Sequence, residues 1–549
     1  MKEKIRQLLK EAVSELGEEF TFLRSDFLIE RPKDDQFGEY TSNIALVAYA
    51  DFSHGLDERA DRNMIVAKGA MSIENPISLA NKIKEKIENK ESDLFESIEV
   101  AGPGHINFYL SQTALVSVVE QVLKEGQKFG GNERGKGIRV NNEFISANPT
   151  GPLHLGNARG GFYADALSRV LRTSGYDVTN EYYINDAGEQ VQKLGHSVLK
   201  DSEAVYSGAY VDELSERFAK DGDVTVVGQQ SAEYVLEEMI KKSVQERMHI
   251  HFDVWTSEKK IIEDGYVDKA IALLRDKGLI FENEGALWLR TTDFGDDKDR
   301  VLVKQDGAKT YFASDCGYIL HKMERGFDHI IETWGADHHG YVARFRAATQ
   351  ALGFAGKVDF MLVQLVKVVK DGQEVRMSKR AGNVITVDEL IDVVGDDVAR
   401  FFFLLYAPET HMNFDLGIAE ERSRKNPVFY VQYAHARLAS ILRKAEEEGF
   451  GRSDGNLALL THKKERELMR ELLFFPELIE KVSLDFSVHA LPQYAMRLAD
   501  KLHSFYDECR VLDAENTALT DARLQLIRST KVVLGGTFAL MGIAAPEKM

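Results

Sequence analysis

Residues 138–167 read IRVNNEFISANPTGPLHLGNARGGFYADAL, and the reading of this stretch decides the fold. Its first third, IRVNNEFISA, is a strand candidate, ANPTGP is a turn rich in proline and glycine, and a helical pattern runs from about 157 to 173. A helix that starts directly after such a turn offers free backbone N–H groups and a partial positive charge, which suit phosphate. His154 and Asn157 are placed to donate hydrogen bonds to a polyphosphate whose charge is redistributing. Gly156 removes a side chain where a flat base can lie against the backbone. Taken alone, the His-x-Gly-Asn quartet reads first as a capped helix after a tight turn.

Just upstream, GGNERGKG at 130–137 carries Gly130, Gly135 and Lys136 at phosphate-loop spacing. Gly137 stands where Ser or Thr would hold magnesium, and the glycines precede the strand instead of following it, so 126–137 reads as a linker. Downstream, the runs VLV at 301–303, TYFA at 310–313, HIIETW at 329–334 and FMLVQLVKVV at 360–369 read as strands. They alternate with helical patterns, which implies a parallel α/β sheet. EVRMSKRAGN at 374–383 crowds Arg376, Lys379 and Arg380 around a small serine and glycine after the apolar strand Met361–Val369, a mobile basic loop suited to an anion. In WGADHHGYVARF at 334–345, Asp337, His338 and His339 are too close together to converge on one metal ion, and hydrogen bonding to a sugar or base is the better reading.

The flanks differ from this centre. Ile5, Leu8, Leu9, Val13 and Leu16, and later Leu79, Ile83 and Ile87, recur at helical spacing, and from about 427 nearly everything reads helical. The division is an α+β domain over 1–120, an α/β domain over 121–425 with an acidic insertion at about 195–300, and an all-α domain over 426–549. A chain of 549 residues carries about three or four domains at typical size and buries ample core without staples. Its two cysteines, Cys316 and Cys509, fit no zinc spacing and point to a reducing compartment. No apolar run is long enough for a membrane helix, and MKEKIRQLLKEAVSEL lacks a signal-peptide centre. The net charge of -19 argues at first against nucleic acid, but residues 201–300 hold -10 of it and the last 123 residues only -1. The total therefore permits a nucleic-acid partner met along selected faces, with 201–300 mostly turned away from it.

HLGN at 154–157 resembles the HIGH signature of class I aminoacyl-tRNA synthetases, and RMSKR at 376–380 resembles their KMSKS signature. EFISANPTGPLHLGNARG, TYFASDCGY at 310–318, WGADHHGY at 334–341, NPVFYVQYAHARLASI at 426–441 and VAGPGHINFYL at 100–110 narrow the resemblance to arginyl-tRNA synthetases. The resemblance implies a Rossmann-like class I catalytic core, an N-terminal tRNA-binding α+β domain and a C-terminal anticodon-binding domain. It implies ATP with Mg2+ as co-substrate, L-arginine and tRNA(Arg) as partners, no structural zinc, no membrane, a monomer and a cytoplasmic location.

By the family pattern, His154, Gly156, Asn157 and Lys379 are catalytic. Pro149, Gly335, Asp337, His338, Met377 and Ser378 join them at ATP. Glu143, Asn148, Tyr311 and Asp315 receive arginine, whose planar fork of donors carboxylates can tell from a lysine. Tyr430, Gln432, Tyr433, His435 and Arg437 meet tRNA, although helix packing explains some of them equally well. Two positions depart from the signatures: Asn157 replaces a histidine, and Arg376 replaces the first lysine of KMSKS. The other readings are a nucleotidylyltransferase sharing the HIGH fold, which the helical C-terminal domain opposes, and an RNA-binding paralogue without activity, to which only Asn157 lends weight.

Overall fold

The computed structural model describes residues 1–16, 26–58, 73–91, 93–375, 385–451 and 455–549. At the N-terminus, α1 (Lys2–Ser14), α2 (Ile44–Glu58) and α3 (Pro76–Lys90) pack with an antiparallel sheet of β1 (Ile29–Glu30), β2 (Tyr40–Ser42), β3 (Phe95–Ala101) and β4 (His105–Leu110), ordered β1-β2-β4-β3. Ile5, Leu8, Leu9 and Val13 form the buried stripe of α1, as their spacing requires. After α4 (Gln112–Glu125) and the linker comes the central sheet.

That sheet has five parallel strands: β5 (Arg139–Glu143), β6 (Asp177–Ile184), β7 (Val254–Ser257), β11 (His329–Gly335) and β12 (Lys357–Val363), in the order β12-β11-β5-β6-β7. The chain runs outward from β5 to β6 and β7, then returns to the other side of β5. The switch point therefore lies between β5 and β11, where doubly wound sheets open a crevice at the strand ends. β5 joins β6 through α5 (Leu155–Thr173), whose Ala158, Phe162, Ala166 and Val170 recur every four residues on a buried face. Burying a side chain such as Phe162 is worth roughly 1.5–3 kcal/mol.

The stretch 195–300 is not one appended unit. It completes α6 (Glu189–Leu199) and adds α7 (Ala209–Phe218) and α8 (Val224–Tyr234), then supplies β7 as the edge strand of the central sheet. Then follow α9 (Glu258–Glu263), α10 (Tyr266–Asp276) and an antiparallel sheet of β8 (Ile280–Asn283), β9 (Ala286–Leu289) and β10 (Arg300–Val303).

Two strand readings fail here. TYFA opens α11 (Tyr311–Glu324), because the Thr310 hydroxyl accepts the Ala313 N–H at 3.3 Å and caps a helix. FMLVQLVKVV splits into β12 and β13 (Val366–Lys370), which belong to different sheets, with Gln364 and Leu365 at the break. After α12 (Val342–Leu352), β13 pairs with β14 (Gln373–Glu374) and β15 (Met412–Asp415), while α13 (Val387–Val394), α14 (Asp396–Leu404) and α15 (Leu416–Glu420) surround them. The C-terminal region is helical: α16 (Pro427–Glu447), α17 (Lys463–Leu473), α18 (Phe475–Asp485), α19 (Ala490–Glu508) and α20 (Thr517–Met541). It docks on the N-terminal domain through Arg31–Glu471 (2.6 Å), Tyr40–Glu477 (2.6 Å) and the pairs Arg470–Glu39 and Arg466–Glu96.

Candidate active site

A cavity of about 1310 Å³ opens at the carboxyl ends of β5, β6 and β11, across the switch point. One end is acidic. Glu143, the last residue of β5, is buried and held by three donors: Ser146 Oγ at 3.0 Å on Oε1, and Tyr318 Oη at 2.7 Å and Lys322 Nζ at 2.6 Å on Oε2. Lys322 is fully buried and also donates to Glu332 Oε1 at 2.6 Å. Two carboxylates thus hold one ammonium firmly charged. Burial and the Glu143 charge push Glu332 above the ordinary carboxylate range, against the pull of Lys322.

Further along this end, Asp315 accepts a hydrogen bond from the Tyr341 hydroxyl, yet burial raises it to about 6. Glu258 is pushed up to about 7 by burial and by the charges of Asp315 and Asp186. Asn185, with its amide turned toward Glu258, donates to Oε2 at 2.8 Å. Tyr183 and Tyr318 stack beside these acids with ring centroids 4.4 Å apart. A cavity lined by carboxylates that resist ionisation when empty favours a cationic occupant.

The other end is built from the α5 N-terminus. His154 caps that helix: its Nδ1 accepts the N–H groups of Gly156 (3.1 Å) and Asn157 (3.4 Å). Nδ1 is thereby an acceptor, so the proton sits on Nε2, which remains a donor. Desolvation lowers the imidazole below its ordinary value against the pull of Asp337, keeping this donor neutral. Asn157 Oδ1 accepts the His154 N–H at 3.1 Å, which leaves its amide nitrogen to donate outward. Asparagine therefore completes the capping box, a role that explains the departure from histidine. Gly156 serves the ring first, since a Cβ there would lie 3.0 Å from His154 Cε1.

Of the remaining positions expected from sequence, Asn148, Tyr311, Gly335, Asp337 and His338 line the cavity. Tyr311 is exposed and stands at the mouth. Pro149 is buried in the turn and is not among the lining residues. Arg376, Met377, Ser378, Lys379 and Arg380 lie outside the described residues. Just beyond them Thr386 pairs with His154, while Val387 N–H donates to Leu153 O at 3.0 Å. Arg159, fully buried, donates to Gln364 O (2.9 Å), Ala407 O (2.8 Å) and Thr410 O (2.8 Å), fixing the strip where Leu365 is exposed in the cavity.

Sequence reasoning missed Ser146, Tyr318, Lys322, Glu332 and Glu258. A helical reading of 310–324 would have found two of them, because Tyr311, Asp315, Tyr318 and Lys322 share one face of α11. Among the described residues, no group of acids, histidines or cysteines has the arrangement of a metal site. No helix there is long and apolar enough to cross a membrane.

On α16, Tyr430 donates to Asp500 at 2.5 Å, Tyr433 lies beside His503, and the Arg437 guanidinium stacks 3.7 Å from the Tyr506 ring centroid. Gln432 and His435 differ from expectation. Gln432 donates to Asp397 (2.7 Å) and Ala544 O (3.1 Å), and His435, nearly fully buried, bonds Pro546 O (2.9 Å). They face the other side of the helix and tie down residues 544–546.

The description "tRNA synthetases class I (R), catalytic domain" matches residues 118–401, which contain the whole cavity, so the fold and site are those of a class I synthetase catalytic domain. "Arginyl tRNA synthetase N terminal domain" matches residues 3–110 and "DALR anticodon binding domain" residues 431–549. The chain is 40% identical to the arginine–tRNA ligase of Anoxybacillus flavithermus, across 100% of this chain and 99% of that one. It is also 40% identical to the arginine–tRNA ligase of Listeria monocytogenes, across 95% of this chain and 94% of the relative. The fold is similar to Thermus thermophilus arginyl-tRNA synthetase, with a TM-score of 0.76 at 20% identity over the full length of both. The chain belongs to the arginyl-tRNA synthetase family.

Proposed function

We propose that this chain is an arginine–tRNA ligase, and the observation that carries the reading is one cavity joining an acidic, cation-selective end to a helix N-terminus built for phosphate. A carboxylate oxygen of L-arginine attacks the α-phosphorus of ATP, supplied as its magnesium complex. The new O–P bond forms as the bond to pyrophosphate breaks, giving arginyl-adenylate. A ribose hydroxyl of the terminal adenosine of tRNA(Arg) then attacks the arginyl carbonyl, and AMP leaves with the bonding pair.

Asp315 and Glu258 meet the guanidinium, Glu143 and Asn148 the amino group, and Tyr311 closes the mouth. His154 Nε2–H and the Asn157 amide donate to phosphate oxygens as charge builds on them. The adenine lies against Gly156 and Leu365, with Gly335, Asp337 and His338 at the ribose. Met377, Ser378 and Lys379 complete the nucleotide site, Lys379 neutralising the departing pyrophosphate, and this is supported by the return of the chain at Thr386 beside His154. Tyr430, Tyr433 and Arg437 offer rings and a guanidinium to anticodon bases. Gln432 and His435 support that face from behind. The enzyme acts as a cytoplasmic monomer.

The test is transfer of radiolabelled arginine to bulk tRNA, retained on a filter. Charging with arginine and no other amino acid is the expected result; retained tRNA binding without charging would leave the RNA-binding reading instead. ATP–pyrophosphate exchange is expected to be negligible until tRNA is added, and full exchange with arginine alone would refute that order.

A further inference from the structure

The cavity exceeds the roughly 300–1,000 Å³ usual for one small ligand. Its acidic end and its helix-capped end account for arginine and ATP. A third wall has no ligand assigned, and it comes from the acidic stretch that charge alone would turn away from RNA. Tyr206 and Tyr210, on and just after the loop between α6 and α7, both line the cavity beside Gly151 and Pro152.

Both rings are fixed in place yet only half buried. Ser197 Oγ accepts the N–H groups of Val205 (3.0 Å) and Tyr206 (2.9 Å), and the Tyr206 hydroxyl donates to Gln190 Oε1 at 2.6 Å. Tyr210 packs on the turn before His154: a Cβ at Gly151 would stand 3.1 Å from its Cζ and Oη. A side chain at this position would therefore crowd the ring by a few tenths of an ångström. Lys193, on α6, pairs with Glu189 at 2.7 Å, keeps part of its side chain in solvent, and lies near Tyr206 and Tyr311. Half-exposed rings with one cation beside them are what an unstacked base and its phosphate require.

We propose that Tyr206 and Tyr210 seat the terminal adenine of the tRNA, with Lys193 at the phosphate that precedes it. This rests on the ligase reading and deepens it, naming where the acceptor end meets the protein. It also gives the acidic stretch a part in RNA binding: its carboxylates repel the phosphate backbone elsewhere, so the strand is admitted only where the rings stand.

The experiment is a binding cycle with the full chain and two tRNAs, one intact and one lacking its 3′ adenosine. Wild type is expected to prefer the intact tRNA about tenfold, as one stacked base implies. Tyr210→Ala should lose that preference by weakening only the intact tRNA, and Tyr210→Phe should keep it. Tyr210→Leu, which retains bulk against Gly151, carries the same cycle if the alanine variant unfolds. Equal weakening of both tRNAs, no weakening of either, or a raised KM for ATP with the preference intact would each overturn the proposal. Failure of the ligase reading is separate: wild type would then bind tRNA without charging it.

Discussion

At one end of the cavity Glu143, Glu258 and Glu332 are buried and tied to protein donors, whereas at the other His154, Asp337 and His338 are exposed and the N–H groups of Gly156 and Asn157 are taken up by the His154 ring. The acidic end selects by charges that are held in place: Glu143 and Glu332 share Lys322, Tyr318 also donates to Glu143, and Tyr341 donates to Asp315. The nucleotide end instead presents side-chain donors set by the helix cap, the Nε2–H of His154 and the amide of Asn157. Substitutions at the first should change which amino acid binds or whether the site holds together. Those at the second should change how fast phosphate is transferred.

The largest expected effect is structural. Lys322→Met leaves Glu143 and Glu332 buried without their ammonium, which costs about 3–5 kcal/mol and should appear as a lower denaturant midpoint. An unchanged midpoint would break the view of this end as a rigid charge network. Next, Lys379→Ala should lower kcat for adenylate formation by at least about a hundredfold while the arginine KM stays put. Near-normal turnover would remove Lys379 as the main phosphate contact. Third, Asp315→Asn should raise the arginine KM about thirtyfold with little change in the ATP KM, the cost of one charged hydrogen bond. A change in kcat alone would erase the division between the two ends.

The smallest effect concerns pH. Glu258 near 7 and Asp315 near 6 are partly protonated in the empty cavity at neutral pH. A guanidinium favours their ionised forms, so arginine binding releases protons and weakens as pH falls. Between pH 8 and pH 6 the arginine KM should rise about tenfold, and Glu258→Gln should flatten that slope. Proton release measured by calorimetry in two buffers checks the sign directly.

The strand–turn–helix at 138–173 was legible because each piece has a local cause: the turn residues, the cap and the four-residue apolar repeat. So were the helical character of the C-terminal region and the motif residues that face the cavity. The acidic end was legible only in part. Tyr311 and Phe312 look like strand residues until the Thr310 cap is recognised, and with α11 misread its Tyr318 and Lys322 stayed unseen. Glu258 and Glu332 were hidden for another reason. Each sits at or just beyond a strand of the central sheet, β7 and β11, and its meaning depends on neighbours brought up from distant segments. Gln432 and His435 show the converse, where a family pattern marks a helix but only packing tells which face is free.

The position of β5 in the middle of the sheet has a consequence for how the molecule is made. Its partner β6 follows after one helix, but Lys322 meets Glu143 across 179 positions, and β11 joins β5 over a comparable distance. Contacts that span so much chain form late, since the intervening loop must be closed before they return any free energy. Sequence separation predicts that during refolding β5, α5 and β6 assemble first and leave one edge of β5 open, with Glu143 still hydrated. Such a half-sheet is an intermediate with a strand edge to offer. Dilute conditions or a chaperone should therefore raise the yield of refolded chain, and the amino-acid end of the cavity should be the last part to acquire its shape.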